Sequence, residues 1–383
     1  MRILFYRIII GCVLMLYSGS ASAQHWEILR GVKDFYPIDS INSSSISKDS
    51  NKIYVASSDK VYIFTDRKWK YYDFRQNFLD CTSDTVLRKI ISETELDLLT
   101  FDKNDNFWVS YAEFYTLNSG IILQKIGDTI KVFDKYYNID TKSFEKFGKS
   151  SCIAFDNYNN PYIIADIDVP YNENQKLTYS NIFKIENDTM KLIGNHSVRH
   201  TAQFSQIVFD SKNNFWTFHY DSLFYYANDT LSKHFSCRYD SETMPSELLN
   251  YGHFKFIHID SNDDLIAMHA KYILYSYKNN EWIVDTTVRQ FVKTFYPNQM
   301  KGLEPNQVCV DSKYNLWIKP FGLRELCKRD INGNWTYHKI PQYTNHKKGG
   351  SIIQSIIPID DTKVLLTGYN LDGNGLIYYT EEE

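Results

Sequence analysis

The chain has 383 residues, of which 43% are hydrophobic and 23% charged, ordinary values for a folded protein that exclude disorder over most of its length. Its formal charge of −4 argues against a nucleic-acid binder, which is usually basic. Aromatic residues reach 16%, with 30 Tyr and 24 Phe against 16 Gly and 9 Pro, which favours strands over helices.

The first element is an export signal. Arg2 and Arg7 form a positive start, Ile8 to Tyr17 is mostly apolar, and Ser20-Ala21-Ser22-Ala23 supplies the small residues of a cleavage site. Residues 1–23 are therefore expected to be removed, leaving 24–383 as one domain, periplasmic rather than secreted. Ile9-Ile10-Gly11-Cys12 has the look of a lipobox, but the apolar run continues past Cys12, which argues against lipidation and an outer-membrane anchor. No later segment is long and apolar enough to cross a bilayer.

A repeat of about 50 residues organises everything that follows. Phe101-Asp-Lys-Asn-Asp-Asn-Phe-Trp108 recurs as Phe155 to Tyr162, Phe209 to Trp216, Ile259 to Ile266 and Val310 to Trp317, with weaker copies at Asp49 and Asp360. The anchoring aspartates are Asp49, Asp102, Asp156, Asp210, Asp260, Asp311 and Asp360. Each unit reads as four short strands. In the fifth these are Phe254–Ile259, Leu265–Ala270, Tyr272–Tyr277 and Trp282–Asp285, with Asp, Asn, Ser and Lys at the turns. The fold class expected is all-β: a seven-bladed β-propeller of four-stranded antiparallel blades. Several units finish on a tryptophan strand, as at Trp69, Trp282 and Trp335, whereas the seventh reaches Tyr379 without one. His25-Trp26-Glu27-Ile28-Leu29 supplies the missing strand, so residues 25–30 are expected to be the outer strand of the last blade and to close the ring.

The pattern Asp-x-x-x-Asn-Phe/Leu-Trp resembles the two-component regulator propeller repeat, a type found in periplasmic sensors. Only Trp108, Trp216 and Trp317 carry its tryptophan, and the usual Gly before Asn is replaced by Asp105, Asn159, Asn213, Asp263 and Tyr314. The resemblance implies an exported sensory or envelope-assembly module. Members of that family often continue into a membrane helix and a kinase; this sequence is expected to stand as a propeller alone.

Function is sought on one face. The first-to-second turns are short. The connections Asp73–Glu95, Lys135–Ser150, Ser236–His253, Thr286–Asn306 and Pro341–Ser351, and the second-to-third loop Asp166–Ser180, are long and share the other face. Loops beyond about 12 residues are uncommon unless functional or disordered, which makes this the expected binding face; the other reading is neutral drift of loop length. Histidines concentrate in blades four and five: His196, His200, His219, His234, His253, His258 and His269. His219 and His269 hold equivalent positions at the ends of second strands, with Tyr111 at the same place in blade two. The candidate ligand contacts are Tyr111, His200, His219, His253, His269 and Lys319. A histidine pair beside a carboxylate can bind a metal or serve as acid and base; the other reading is strand histidines with local hydrogen bonds. The partner expected is a small ligand, glycan or peptide, or an envelope protein, with no cofactor and no nucleic acid.

Three further patterns are read as structural. Asp102, Asn104, Asn106 and Glu113 have calcium-loop spacing, but Phe107 stands where such a loop needs Gly, so the segment is expected to be a turn. Cys309 and Cys327 fall on the first and third strands of one blade, too far apart to bridge, and the five cysteines beyond the signal form neither a disulfide framework nor a zinc motif. No GxSxG, P-loop or HExxH occurs. The leading expectation is a non-enzymatic propeller binding through its long-loop face. The alternatives are a structural scaffold of an envelope assembly and a propeller enzyme of lyase or metal-dependent lactonase type, with histidines at the channel mouth, similar at fold level only.

Overall fold

A computed structural model describes residues 24–28, 41–46, 52–57, 61–65, 68–94, 96–112, 120–138, 141–172, 175–199, 204–236, 253–295, 305–311, 313–320, 325–340, 352–360, 362–369 and 376–381. The signal segment and Cys12 lie outside these residues. The strands group into seven sheets in chain order. The first sheet is Ile41–Ile46, Ile53–Ser57, Val61–Thr65 and Lys68–Tyr72; the second is Leu96–Phe101, Phe107–Ala112, Gly120–Ile126 and Thr129–Phe133. The third is built on Ser150–Phe155, Pro161–Asn172, Gln175–Glu186 and Thr189–Arg199. The fourth is Phe204–Phe209, Phe215–His219, Ser222–Ala227 and Thr230–Ser236; the fifth is Phe254–Ile259, Leu265–His269, Leu274–Lys278 and Glu281–Asp285. The sixth is Pro305–Val310, Leu316–Pro320, Glu325–Arg329 and Trp335–Lys339, and the seventh is Ile352–Pro358, Lys363–Tyr369 and Leu376–Glu381 with Gln24–Ile28 on its outer edge.

The aspartate turns set these strand boundaries. Asp102 Oδ1 accepts from the backbone of Asn104 (2.8 Å) and Asn106 (3.1 Å), and Oδ2 accepts from Asn106 Nδ2 (2.9 Å) and the buried Trp108 Nε1 (3.1 Å). Asp311 repeats the set with Lys313, Asn315 and Trp317. At Asp210 a tyrosine from the third strand, Tyr225, replaces the tryptophan as donor at 2.8 Å. The carboxylate oxygens of the supposed calcium loop are thus engaged by the turn's own donors. The residue three places after five of the aspartates takes a left-handed conformation, with φ of 59° at Asp105, 69° at Asn159, 65° at Asn213, 64° at Asp263 and 62° at Tyr314.

Asn and Asp at that place do more than tolerate the positive φ. The Lys103 N–H donates to Asn159 Oδ1, Asn157 N–H to Asn213 Oδ1, and Ser211 N–H to Asp263 Oδ1, each at 2.8 Å. Each side chain reaches back to the turn of the preceding sheet, so the second to fifth sheets are linked in a ladder along one face. A glycine makes the turn but cannot make this link.

The core lies between sheets. Each strand alternates, so one side of its sheet packs on the preceding sheet and the other on the next. Phe107, Val109 and Tyr111 face the first sheet, and Trp108 faces the third. Trp216 and Phe218 pack with Phe254, Leu265 and Tyr275 of the fifth, whereas Phe215 packs with Tyr162 and Ile164 of the third. The first strands of successive sheets touch in sequence, and Ile352–Pro358 of the seventh touches Ile41–Ile46 of the first.

Several expectations are corrected. The third sheet has six strands: Tyr136–Asn138 and Ser143–Glu145, expected in a face loop, instead extend its outer edge, Tyr136–Asn138 running parallel to Thr189–Arg199. Asp166–Ser180 is no loop but the continuation of the second and third strands, paired from Tyr162–Lys184 out to Asn172–Gln175. Two connections are helical. Helices α1 (Phe74–Asp80) and α2 (Thr85–Glu93) follow the first sheet, and α3 (Thr287–Phe295) follows the fifth. Asp73 and Asp84 cap α1 and α2 by accepting backbone N–H groups. The cysteine expectation holds: Cys309 and Cys327 sit on the first and third strands of the sixth sheet as free thiols.

The N-terminal strand spans Gln24–Ile28 and pairs antiparallel with the last strand from Gln24–Glu381 to Ile28–Ile377. Its removal leaves the backbone groups of that strand without their ladder. Deleting residues 24–28 is expected to lower the melting temperature by at least about 5 °C, followed by circular dichroism against the intact mature chain.

Candidate functional site

In an antiparallel meander the second-to-third turns and the sheet-to-sheet connections fall on one face, opposite the aspartate turns. Four of the six candidate residues are buried there at strand ends, Tyr111, His219, His269 and Lys319 being 1%, 8%, 2% and 6% exposed. His253 is half-buried at the entry to the fifth sheet, and His200 lies outside the described residues.

The fourth and fifth sheets bring three candidates together. After His219 the chain turns through Tyr220, whose φ of 53° is unusual for a bulky residue. The carbonyl of Tyr220 accepts from the Phe254 N–H at 2.7 Å, and the carbonyl of His253 accepts from the Ala270 N–H at 2.8 Å. These two bonds tie the turn of the fourth sheet to the first strand and second turn of the fifth. They hold the His253 ring stacked on Tyr220, centroids 5.8 Å apart and planes 17° from parallel. Tyr220 is 40% exposed. Beneath them, the His269 ring packs edge-on against Phe254 (5.7 Å) and Tyr275 (6.4 Å), and its Nδ1 accepts from the Lys271 N–H at 3.2 Å.

The remaining candidates point elsewhere. Tyr111 lies in the core between the first and second sheets, covered by Phe78 of α1 and Leu87 and Ile91 of α2. Arg75 fastens the two helices by donating to Ser92 O (3.0 Å) and Thr94 O (3.1 Å). Burial pushes the Tyr111 phenol above its ordinary range. Lys319 shares its side of the strand with Trp317 and so faces the seventh sheet. Its Nζ donates to Pro320 O at 2.8 Å. By the same alternation His219 lies on the side of Phe215, toward the third sheet, and His269 on the side of Leu265 and Ala267, toward the fourth. Tyr111, His219, His269 and Lys319 therefore occupy four different spaces between sheets, and His219, His253 and His269 lie on the neighbouring fourth and fifth sheets. Among the described residues no group of three or more His, Cys, Asp or Glu side chains is placed to hold a metal ion.

Tyr220 was not a sequence candidate. Its signal is positional: it follows His219 at a second-to-third turn, where an exposed aromatic residue has no part in the repeat. The helical covers over Tyr111 also escape a reading by loop length, although Asp73 and Asp84 are recognisable caps.

No family model matches the chain, and no curated protein matches it in sequence. Solved structures do match in shape. Virginiamycin B lyase from Staphylococcus aureus superposes with a TM-score of 0.57 at 11% identity, over 93% of this chain and 99% of the lyase. YCF48 from Cyanidioschyzon merolae gives 0.54 at 12% identity, over 94% and 99%. The extracellular domain of a hybrid two-component system from B. thetaiotaomicron gives 0.54 at 12% identity, over 90% of this chain and 40% of that one. The chain has a β-propeller fold, and at these identities the likeness carries the fold alone.

Burial lowers the Lys319 ammonium to about 8. Below pH 8 the folded chain carries this charge in a poorly solvated place. From there to the ordinary lysine value of about 10.4 the folded chain has released the proton and the unfolded chain keeps it, so the contribution of this group to stability rises with pH. Urea unfolding of the wild type and Lys319→Met in parallel between pH 7 and 10 is expected to show the stability of the wild type rising relative to that of the variant.

Proposed function

We propose that the chain is an exported, non-enzymatic β-propeller of seven blades that binds a peptide, glycan or envelope protein on the face bearing Tyr220 and His253. The N-terminal strand closes the ring in this reading. The contact of the seventh sheet's first strand with that of the first sheet supports closure, as does the pairing of Gln24–Ile28 with the last strand. The export signal read in residues 1–23 supports an exported location, the periplasm in this reading. Among the described residues no helix is long and apolar enough to cross a membrane.

One observation carries the binding reading. The exposed Tyr220 stacks on the half-buried His253, and the pair is fixed by one backbone hydrogen bond between the fourth and fifth sheets and one within the fifth. A rigid aromatic pair loses little conformational freedom on binding, which is what a recognition surface requires. A catalytic centre requires groups that converge within hydrogen-bond reach of one reacting atom, and Tyr111, His219, His269 and Lys319 face separate spaces. Among the fold relatives, YCF48 has been solved bound to a D1 peptide. The lyase relative favours the second reading, an enzyme, because a histidine-to-alanine variant of it is catalytically inactive.

Thermal melting of residues 24–383 against peptides, glycans and divalent metals, with and without chelator, separates the readings. Binding on this face predicts, for at least one ligand of the panel, an upward shift that survives chelation and disappears in the Tyr220→Ala, His253→Ala double variant. The size is about 2.7 kcal/mol at a ligand concentration one hundredfold above Kd. A shift that requires a divalent metal and is lost in His219→Ala or His269→Ala supports the enzyme instead.

A further inference from the structure

A second candidate site lies on the opposite face, among the aspartate turns. Between the third and fourth sheets is an open groove of about 410 Å³, within the size range of about 300–1,000 Å³ usual for ligand clefts. One wall is the third sheet, through Lys184, Glu186 and Lys191; the other is the two turns of the fourth, through Asn213, Asn214 and Asp229. The Tyr162 and Tyr226 rings also line it. They flank Phe215, Tyr226 stacked at 4.6 Å and Tyr162 edge-on at 5.6 Å, which fixes both rings.

The charges of the groove cancel. Glu186 takes Lys184 at 2.5 Å on one carboxylate oxygen and Lys191 at 3.3 Å on the other. The hydrogen bond from Lys184 holds the Glu186 carboxyl below its ordinary value, so it is ionised at neutral pH. Asp229, which accepts from Tyr226 Oη at 3.1 Å, balances the second lysine. An anionic ligand would have to compete with Glu186 for both ammonium groups. An apolar ligand would strip water from four charges without replacing it. What the walls offer is interleaved donors and acceptors. Asn213 spends its oxygen on Asn157 and Asn214 its amide nitrogen on Asp210. The Asn213 amide nitrogen and the Asn214 oxygen take no part in those bonds, which places a donor next to an acceptor. Paired hydroxyls of a sugar need that alternation, and the C–H face of a sugar ring needs an aromatic edge or face beside it.

We propose that this groove binds a neutral saccharide, at a site separate from the Tyr220–His253 face. The test is a titration of the purified protein with glucose, galactose, N-acetylglucosamine, maltose, lactose and cellobiose, followed by saturation-transfer NMR and intrinsic fluorescence. At least one sugar is expected to saturate in the millimolar range or below. Lys191→Ala is expected to weaken it about tenfold, and Tyr226→Phe, which keeps the stack on Phe215, about fivefold. Each is read beside its own melting temperature, and Tyr220→Ala is expected to leave the affinity unchanged. The proposal is overturned if no sugar saturates, if inorganic phosphate binds in their place with the same dependence on Lys191, or if Tyr220→Ala rather than the groove variants abolishes binding. That last result would assign the sugar to the opposite face and leave the binding function itself standing.

Discussion

The turns at Asp102, Asp156, Asp210, Asp260 and Asp311 each depend on a carboxylate engaged by its own turn. Asp102 and Asp311 each bind two backbone N–H groups, an asparagine amide and an indole N–H. These are charge-assisted bonds, each worth about 1.5–3 kcal/mol net. They fix where the first strand stops, where the second starts and which way the tryptophan points. Trp108 and Trp317 are consequently buried between sheets. The same turn forces a left-handed residue, and at Asn159, Asn213 and Asp263 that residue reaches the preceding turn. A local constraint on one turn thus becomes a link between sheets.

The register fixed by the turns also decides the site. Counting along the second strand from its aspartate places Tyr111, His219 and His269 at the same strand end, and alternation then turns each toward the sheet before it. Equivalence in the repeat therefore separates these side chains, because each copy faces its own space. The Tyr220–His253 pair forms where the repeat is interrupted, at a turn and a connection. The groove between the third and fourth sheets has another origin: one wall is strands of the third sheet and the other is turns of the fourth, both carrying residues that the repeat leaves free, such as Lys191 and Asp229.

Much of the fold is legible in the sequence because it repeats. The aspartate spacing, the strands of the fifth unit and the partner of the N-terminal strand all follow from comparing copies within the chain. The departures lie where copies differ. Residues 73–95 and 286–306 read as loops by length, yet the short α1, α2 and α3 form there because Asp73 and Asp84 cap two of them and Phe78, Ile91 and Val288 find apolar cover. Asp166–Ser180 reads as a loop because of its polar residues, yet backbone pairing continues from Tyr162–Lys184 to Asn172–Gln175. Asp330-Ile-Asn-Gly-Asn-Trp335, with glycine before asparagine, escapes notice because it lies between the third and fourth strands of the sixth sheet; there Asn334 bonds Asp330 as in the main turns. The substitution of Asn or Asp for glycine reads as mere tolerance of a left-handed backbone until the neighbouring turn is seen beside it.

The most direct measurement compares Asn213→Gly with Tyr314→Gly by equilibrium unfolding. Both positions have a positive φ that glycine adopts without strain. Asn213 also accepts a hydrogen bond from the preceding sheet, whereas Tyr314 has no amide or carboxylate oxygen to offer and lies against the His258 ring at 6.0 Å. If the links between turns hold the sheets together, Asn213→Gly lowers stability by about 1 kcal/mol while Tyr314→Gly leaves it unchanged or raises it. Equal stabilisation by both substitutions would contradict the account, since relief of backbone strain would then be all that the position contributes.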